Sequence, residues 1–269
     1  MQKTVFPLNE LDPETREFYC RSLRILQQAQ IPFLVGGAYA FERYTGIARD
    51  TKDIDLFVHL RDRDRVLQVF SEAGYDTEIA AYWLAKVFCG NYFVDFIVCS
   101  ANGGVAVDDQ WFEFAVADEV LDLPVLLCPA EEMLWSKAFI MSRDRYDGAD
   151  VAHLLLACSE QLNWSRLLER FGDHWRVLFS HLLLFGFIYP SERSRIPDWV
   201  MNQLWQRLSQ EMQHASLDDQ QCQGTLLAPL QYQIDVEQWG YQDARLKPVG
   251  TLTEADLSQW TTYLEQEKS

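Results

Sequence analysis

FLVGGAYAFERYTGIARDTKDIDLFV, residues 33 to 58, is the stretch on which the fold turns. An apolar run, Phe33-Leu34-Val35, ends in Gly36-Gly37. A helix-like segment, Ala38 to Tyr44, follows. A polar turn, Gly46 to Lys52, then leads into Asp53-Ile54-Asp55 and a second apolar run, Leu56-Phe57-Val58. Side chains alternate along a strand, so Asp53 and Asp55 share one face, about 7 Å apart along the strand, while Ile54 faces the core. Two carboxylates so placed repel strongly in a dry site, and a divalent cation relieves the repulsion. Oxygen ligands alone suit Mg²⁺ (or Mn²⁺), which completes its shell with water and phosphate oxygens. Glycines at a strand-to-helix turn let backbone N–H groups approach an anion, and the helix N-terminus adds positive potential. Alone, a Gly-Gly is most often a turn and a D-x-D a solvated strand end. In this order the elements read as a phosphate cradle beside a metal-binding acid pair.

Two apolar runs, 82 to 89 (YWLAKVFC) and 92 to 99 (YFVDFIVC), flank Gly90-Asn91 and predict a hairpin with a two-residue turn. Asp95 interrupts the second run. A buried acid is costly unless it is paired or metal-bound. Asp95 could face water on an edge strand or pair with a cation. With Asp53 and Asp55 upstream, it reads as the third carboxylate of one site.

The block resembles the nucleotidyltransferase superfamily that includes DNA polymerase β. It is most similar to the bacterial branch that holds AbiE-type toxin, aminoglycoside and lincosamide nucleotidyltransferases. That pattern is a Gly-Gly or Gly-Ser turn, a short helix, D-x-D and a later third acid, matched by Gly36-Gly37, Asp53, Asp55 and Asp95. Arg49-x-Thr51-x-Asp53 resembles the R-x-T-x-D-I-D form of the branch, and Lys52 lies within it. Ala38 departs from the Ser that many members carry. The resemblance covers residues 33 to 155. It implies Asp53, Asp55 and Asp95 as metal ligands and catalytic acids, with Asp95 as the base for an acceptor hydroxyl. Gly36, Gly37, Arg49, Thr51 and Lys52 would bind the nucleoside triphosphate. A helical Lys followed by R-x-x-x-D-x-x-D is a further feature of the branch. By it, Lys137 is carried over as a phosphate ligand, and Asp147 is a further candidate base.

The chain has 269 residues, 48% hydrophobic and 13% aromatic, enough for one large or two modest cores. Its net charge of -17 opposes non-specific grip on nucleic acid and suits a small-molecule or basic acceptor. Cys20, Cys89, Cys99, Cys128, Cys158 and Cys222 form no C-x-x-C pair and read as reduced thiols. His153, His174, His181 and His214 are too scattered for a metal set. The N-terminus lacks an apolar signal core, and no run approaches a membrane span. A soluble, cytoplasmic protein is expected.

Asp12-Pro13-Glu14 predicts a helix start: a cap, Pro in the first turn, then an acid. Arg61 to Ala73 predicts an amphipathic helix ended by Gly74. Residues 112 to 116 and 124 to 127 read as strands, and 129 to 142 and 151 to 158 as helices. In this reading Asp147 and Asp150 cap the second of these helices or pair with Arg143. Helical spacing continues over 164 to 171, 173 to 187 and 199 to 212. Residues 224 to 235 read as a strand or extended segment, and 253 onward as a final helix.

The architecture expected is α+β: a small mixed sheet backed by helices over 1 to 159, then a mainly helical region over 160 to 269. The function expected is Mg²⁺-dependent transfer of a nucleoside monophosphate to a hydroxyl of tRNA or other RNA, of protein, or of a small molecule. The resemblance also admits a toxin-like role with an antitoxin-like partner. An inactive nucleotide-binding regulatory module on the same fold is the alternative.

Overall fold

Asp12 opens the first helix, its carboxylate accepting from the backbone N–H groups of Glu14 (3.1 Å) and Thr15 (3.0 Å). These bonds satisfy two donors that a helix start leaves without a partner. The computed structural model describes residues 11–49, 51, 53–213 and 220–246. They belong to two compact units, the first holding the described residues up to Pro129 together with Arg245 and Leu246, and the second spanning Ala130–Ala244.

In the first unit, α1 (Pro13–Gln28) is followed by β1 (Leu34–Val35), α2 (Gly37–Thr45), β2 (Asp53–Phe57) and α3 (Arg63–Glu72). Three strands follow in succession: β3 (Asp76–Ala81), β4 (Leu84–Cys89) and β5 (Tyr92–Ile97). A short pair, β6 (Cys99–Ser100) and β7 (Val105–Ala106), precedes α4 (Asp109–Glu113), and β8 (Val116–Val120) and β9 (Leu123–Leu127) follow it. Among the described residues, one seven-stranded sheet runs β3-β4-β5-β2-β1-β9-β8. It is mixed. The β2–β5 and β1–β9 pairs are parallel, and β3–β4, β4–β5, β1–β2 and β8–β9 are antiparallel.

The alternation in β2, β4 and β5 separates the sheet's faces. Ile54, Leu56, Ala85, Val87, Val94 and Phe96 are fully buried in one cluster with Phe18 and Leu23 of α1 and Val66 and Phe70 of α3. Burying each larger side chain contributes roughly 1.5–3 kcal/mol. Asp53, Asp55, Lys86, Phe93 and Asp95 occupy the alternate positions. A slip of one residue would exchange the two sets, so the apolar face holds the polar face in register.

The predicted hairpin forms, with Cys89 opposite Tyr92 across Gly90-Asn91. The strand expected over 112 to 116 does not begin until Val116. Asp108 accepts from the N–H of Gln110 at 3.0 Å and caps α4 instead. That helix buries Trp111 completely, its ring 4.9 Å from that of Phe57. The apolar run hid the change because the cap lies just before it.

The second unit begins with α5 (Ala130–Ala138), α6 (Gly148–Cys158) and α7 (Trp164–Phe171) and continues with α8 (Trp175–Ile188) and α9 (Asp198–Glu211). Trp135, Phe139 and Phe171 pack together, with Trp135 edge-on to the other two rings. Residues 224 to 235, expected to be extended, instead hold a 3-10 turn (Gln223–Leu226) and the start of α10 (Gln233–Glu237). A Cβ on Gly224 would meet the Tyr232 ring at 2.3 Å, so the segment folds back on itself there. The expected final helix, from 253, lies outside the described residues. The fold class is α+β, a mixed sheet with helices followed by a mainly helical region. Among the described residues no helix is long and apolar enough to cross a membrane.

Candidate active site

The parallel pairing of β2 with β5 sets Asp55 directly opposite Asp95 and Asp53 opposite Phe93. Partners in register project to the same face. The three acids therefore share one face, two on β2 and the third on its neighbour. The antiparallel β4 continues the row, because Lys86 lies opposite Asp95.

Gly36 and Gly37 meet this row from β1. The N–H of Gly36 donates to the carbonyl of Asp55 at 2.9 Å. Gly37 takes φ +53, and a Cβ there would stand 1.7 Å from Oδ2 of Asp55. A Cβ on Gly36 would stand 2.2 Å from the Phe57 ring. Both glycines are thus spatial requirements. The first turn of α2 can lie against an acid only because no side chain intervenes.

Thr51 supports the pair from the preceding turn, its hydroxyl donating to Oδ1 of Asp53 at 2.5 Å. Arg49 is exposed, with its guanidinium 5.2 Å from the Phe41 ring centre. Lys52 lies outside the described residues.

Asp95 is 8% exposed. Burial pushes its carboxyl above the usual range. The Lys86 hydrogen bond and charge oppose that rise, and the charge of Asp53 adds to it. Lys86 Nζ donates to Oδ1 of Asp95 at 2.6 Å and sits 4.0 Å from the Phe93 ring centre. Sequence reasoning missed Lys86 although the signal was present. A two-residue turn pairs Cys89 with Tyr92, and stepping outward along the hairpin pairs Lys86 with Asp95.

The donor set suits a hard cation. Asp53, Asp55 and Asp95 offer carboxylate oxygens, and Gly37 leaves space beside Asp55 that a Cβ would fill. Among the described residues no three His, Cys, Asp or Glu side chains form a ready metal cage. Mg²⁺ requires none, since one or two carboxylates with waters and substrate phosphates suffice. The β2 pair fits that requirement.

Lys137 lies in the second unit, on α5. Its Nζ is 2.7 Å from Oδ2 of Asp150 and 3.2 Å from Oδ2 of Asp147. Arg145 holds Asp147 through two further hydrogen bonds, of 3.0 and 3.1 Å. Asp147 and Asp150 thus engage Lys137 and Arg145 rather than the expected Arg143, because one turn of α6 brings both acids to Lys137. Burial disfavours the charged form of Asp147, yet Arg145 and Lys137 outweigh it and hold the carboxyl below its usual value.

Lys137→Met is therefore expected to cost about 2–4 kcal/mol at neutral pH, because it leaves mostly buried acids short of a partner. A carboxyl with a depressed folded-state pKa stabilises the fold above the ordinary aspartate value and loses that contribution as pH falls through the folded value. The difference between wild type and variant should shrink in urea melts as pH is lowered from 7 to 3. An equal difference at both values would contradict this assignment.

No protein-family model matches the sequence, and no curated protein matches it. Solved structures do resemble the fold. The antibiotic-resistance factor ANT(2'')-Ia aligns over 66% of this chain and 99% of its own, at 14% identity and a TM-score of 0.44. The lincosamide antibiotic adenylyltransferase LnuA, solved with lincomycin bound, aligns over 52% of this chain and 95% of its own, at 16% identity and a TM-score of 0.37. JHP933 from Helicobacter pylori aligns over 97% of this chain and 100% of its own, at 12% identity and a TM-score of 0.36. At these identities and TM-scores the likeness is one of chain path alone.

Proposed function

We propose that the protein is a Mg²⁺-dependent nucleotidyltransferase that moves a nucleoside monophosphate from a nucleoside triphosphate to an acceptor hydroxyl. The observation that carries this reading is the register of β2 on β5, with Asp55 opposite Asp95 and Asp53 on the same face, beside a Gly37 whose missing side chain makes room for Asp55. Asp53 and Asp55 would hold the cation. When bound, it would offset charge developing on the α-phosphate and pyrophosphate. The Gly36-Gly37 turn and the N-terminus of α2 would receive phosphate oxygens. Asp95 would take the proton of the acceptor hydroxyl, since burial raises its affinity for a proton and the Lys86 ammonium fixes its Oδ1.

The net charge of -17 favours a small-molecule or basic acceptor over nucleic acid. The alternative, a regulatory module that binds nucleotide without chemistry, draws on Ala38, which removes a hydroxyl from the cradle. A toxin-like role with an antitoxin-like partner, and a phosphate contact from Lys137, belong to the same reading through the family resemblance.

Incubation of the full chain with each α-labelled nucleoside triphosphate and Mg²⁺ tests the proposal. The acceptors offered are total tRNA, cell protein, and aminoglycoside and lincosamide antibiotics. Label should pass to one acceptor class. Asp53→Asn and Asp55→Asn should reduce transfer at least about a thousandfold while keeping the fold, since each removes a ligand and also one of two repelling charges. Nucleotide binding without transfer to any acceptor would favour the regulatory module. Unchanged Mg²⁺–nucleotide affinity in both variants would remove them as ligands.

A further inference from the structure

We propose that Lys86 is a built-in cation for the third carboxylate, so that this site takes one divalent ion rather than a pair. The inference rests on the nucleotidyltransferase reading above and specifies its metal requirement. Three observations meet at Lys86. It lies opposite Asp95 in the β4–β5 register, which sends both side chains to the face that carries Asp53 and Asp55. Its Nζ donates to Oδ1 of Asp95 at 2.6 Å, between side chains only 21% and 12% exposed. The same ammonium lies 4.0 Å from the ring centre of Phe93, the residue paired with Asp53.

The ammonium is therefore held by a carboxylate and a ring face, within a half-buried setting where charge attraction is strengthened. A second divalent ion on Asp95 would have to displace it or sit against it. Displacement forfeits both contacts, and coexistence sets like charges on one carboxylate. The three acids and Lys86 together carry two net negative charges, which one divalent cation offsets. A lysine is a compact point charge on a flexible stem and can occupy such a position without a metal's demand for several ligands. Asp95 is thereby paired and aimed by the chain itself, and the exchangeable ion is left to Asp53 and Asp55. Lys86 is a positioning residue in this scheme.

The test counts ions. Full-length protein is titrated with Mn²⁺ alone, and free Mn²⁺ is read by electron paramagnetic resonance. The Asp53→Asn/Asp55→Asn double variant supplies the baseline for weak surface binding. Wild type should show one ion above that baseline. Lys86→Met, which keeps the apolar stem, should show two, the second at least tenfold tighter than the baseline. Lys86→Arg should return the count to one. If Lys86→Met fails to fold, Lys86→Gln removes the charge while keeping a donor for Asp95, and it should also show two. Two ions in wild type, or one in both neutral variants, would overturn the role of Lys86 and leave the proposed function standing. The titration is repeated with a saturating non-hydrolysable nucleoside triphosphate analogue, corrected for Mn²⁺ bound by free analogue, and no ion above baseline in any chain under either condition would overturn both.

Discussion

Gly37→Ala is expected to weaken Mg²⁺–nucleotide binding and transfer by at least about a hundredfold, the scale of a 1 Å misplacement in a reacting constellation. Two effects combine. Gly37 has φ +53, where an L side chain costs roughly 1–2 kcal/mol. The added Cβ would also fall 1.7 Å from Oδ2 of Asp55, and 2.5 Å from its Cγ, so the carboxylate or the turn must move. Either movement separates the phosphate cradle from the acid row. Gly46→Ala separates the two effects. Gly46 has φ +69, yet a Cβ there would meet nothing within 4 Å. That variant should lose about 1 kcal/mol of stability and keep full nucleotide affinity. Calorimetric titration of both variants with Mg²⁺ and each nucleotide is the measurement. Equal affinity in Gly37→Ala and wild type would show that the Asp55 carboxylate is not where binding occurs.

Arg166→Ala should destabilise the helical unit by about 3–5 kcal/mol, the cost of breaking a buried ion pair from one side. Arg166 is itself buried. Its guanidinium reaches Glu131 Oε2 at 3.1 Å and also bonds Oε1 of Glu132, a residue with no exposed surface. Arg170 adds a contact to the same Glu132 oxygen at 2.7 Å, and Glu131 accepts the N–H of Asn163 at 2.7 Å just before α7. Truncating Arg166 leaves two carboxylates in a dry site with one guanidinium to share. Arg166→Lys should recover only part of the loss, because an ammonium cannot present the forked donors that reach both acids. Arg176, whose pair with Glu211 is largely exposed, provides the contrast. Its alanine variant should change stability by less than about 1 kcal/mol. Urea denaturation of the three variants checks this. Similar losses for Arg166→Ala and Arg176→Ala would show that the buried network contributes no more than a surface pair.

Gly36-Gly37 and the D-I-D triplet were legible in the sequence because each is a local rule: a turn needing space, then an acid pair at strand spacing. The Asp12 cap and the Gly90-Asn91 hairpin were legible for the same reason. The hairpin even encoded the Lys86–Asp95 pair, since a tight turn dictates every register step beyond it. Of the strand expected over 112 to 116, only Val116 is strand, because an apolar run too short for a clear period fits a helix or a strand equally. The Asp108 cap decided the matter.

No local rule could bring Asp95 to Asp55. Those residues are joined by the parallel pairing of β2 with β5, across a helix and two strands of intervening chain. Nor could spacing show that Lys137 would be met by Asp147 and Asp150, or Arg166 by Glu131 and Glu132. By itself the sequence determined which residue types sit at turns, caps and strand faces, because backbone geometry acts within a few residues. Tertiary structure alone decided which charges on separate elements, beyond the reach of one tight turn, meet, because a buried charge must find its partner wherever packing of the apolar faces brings one within reach.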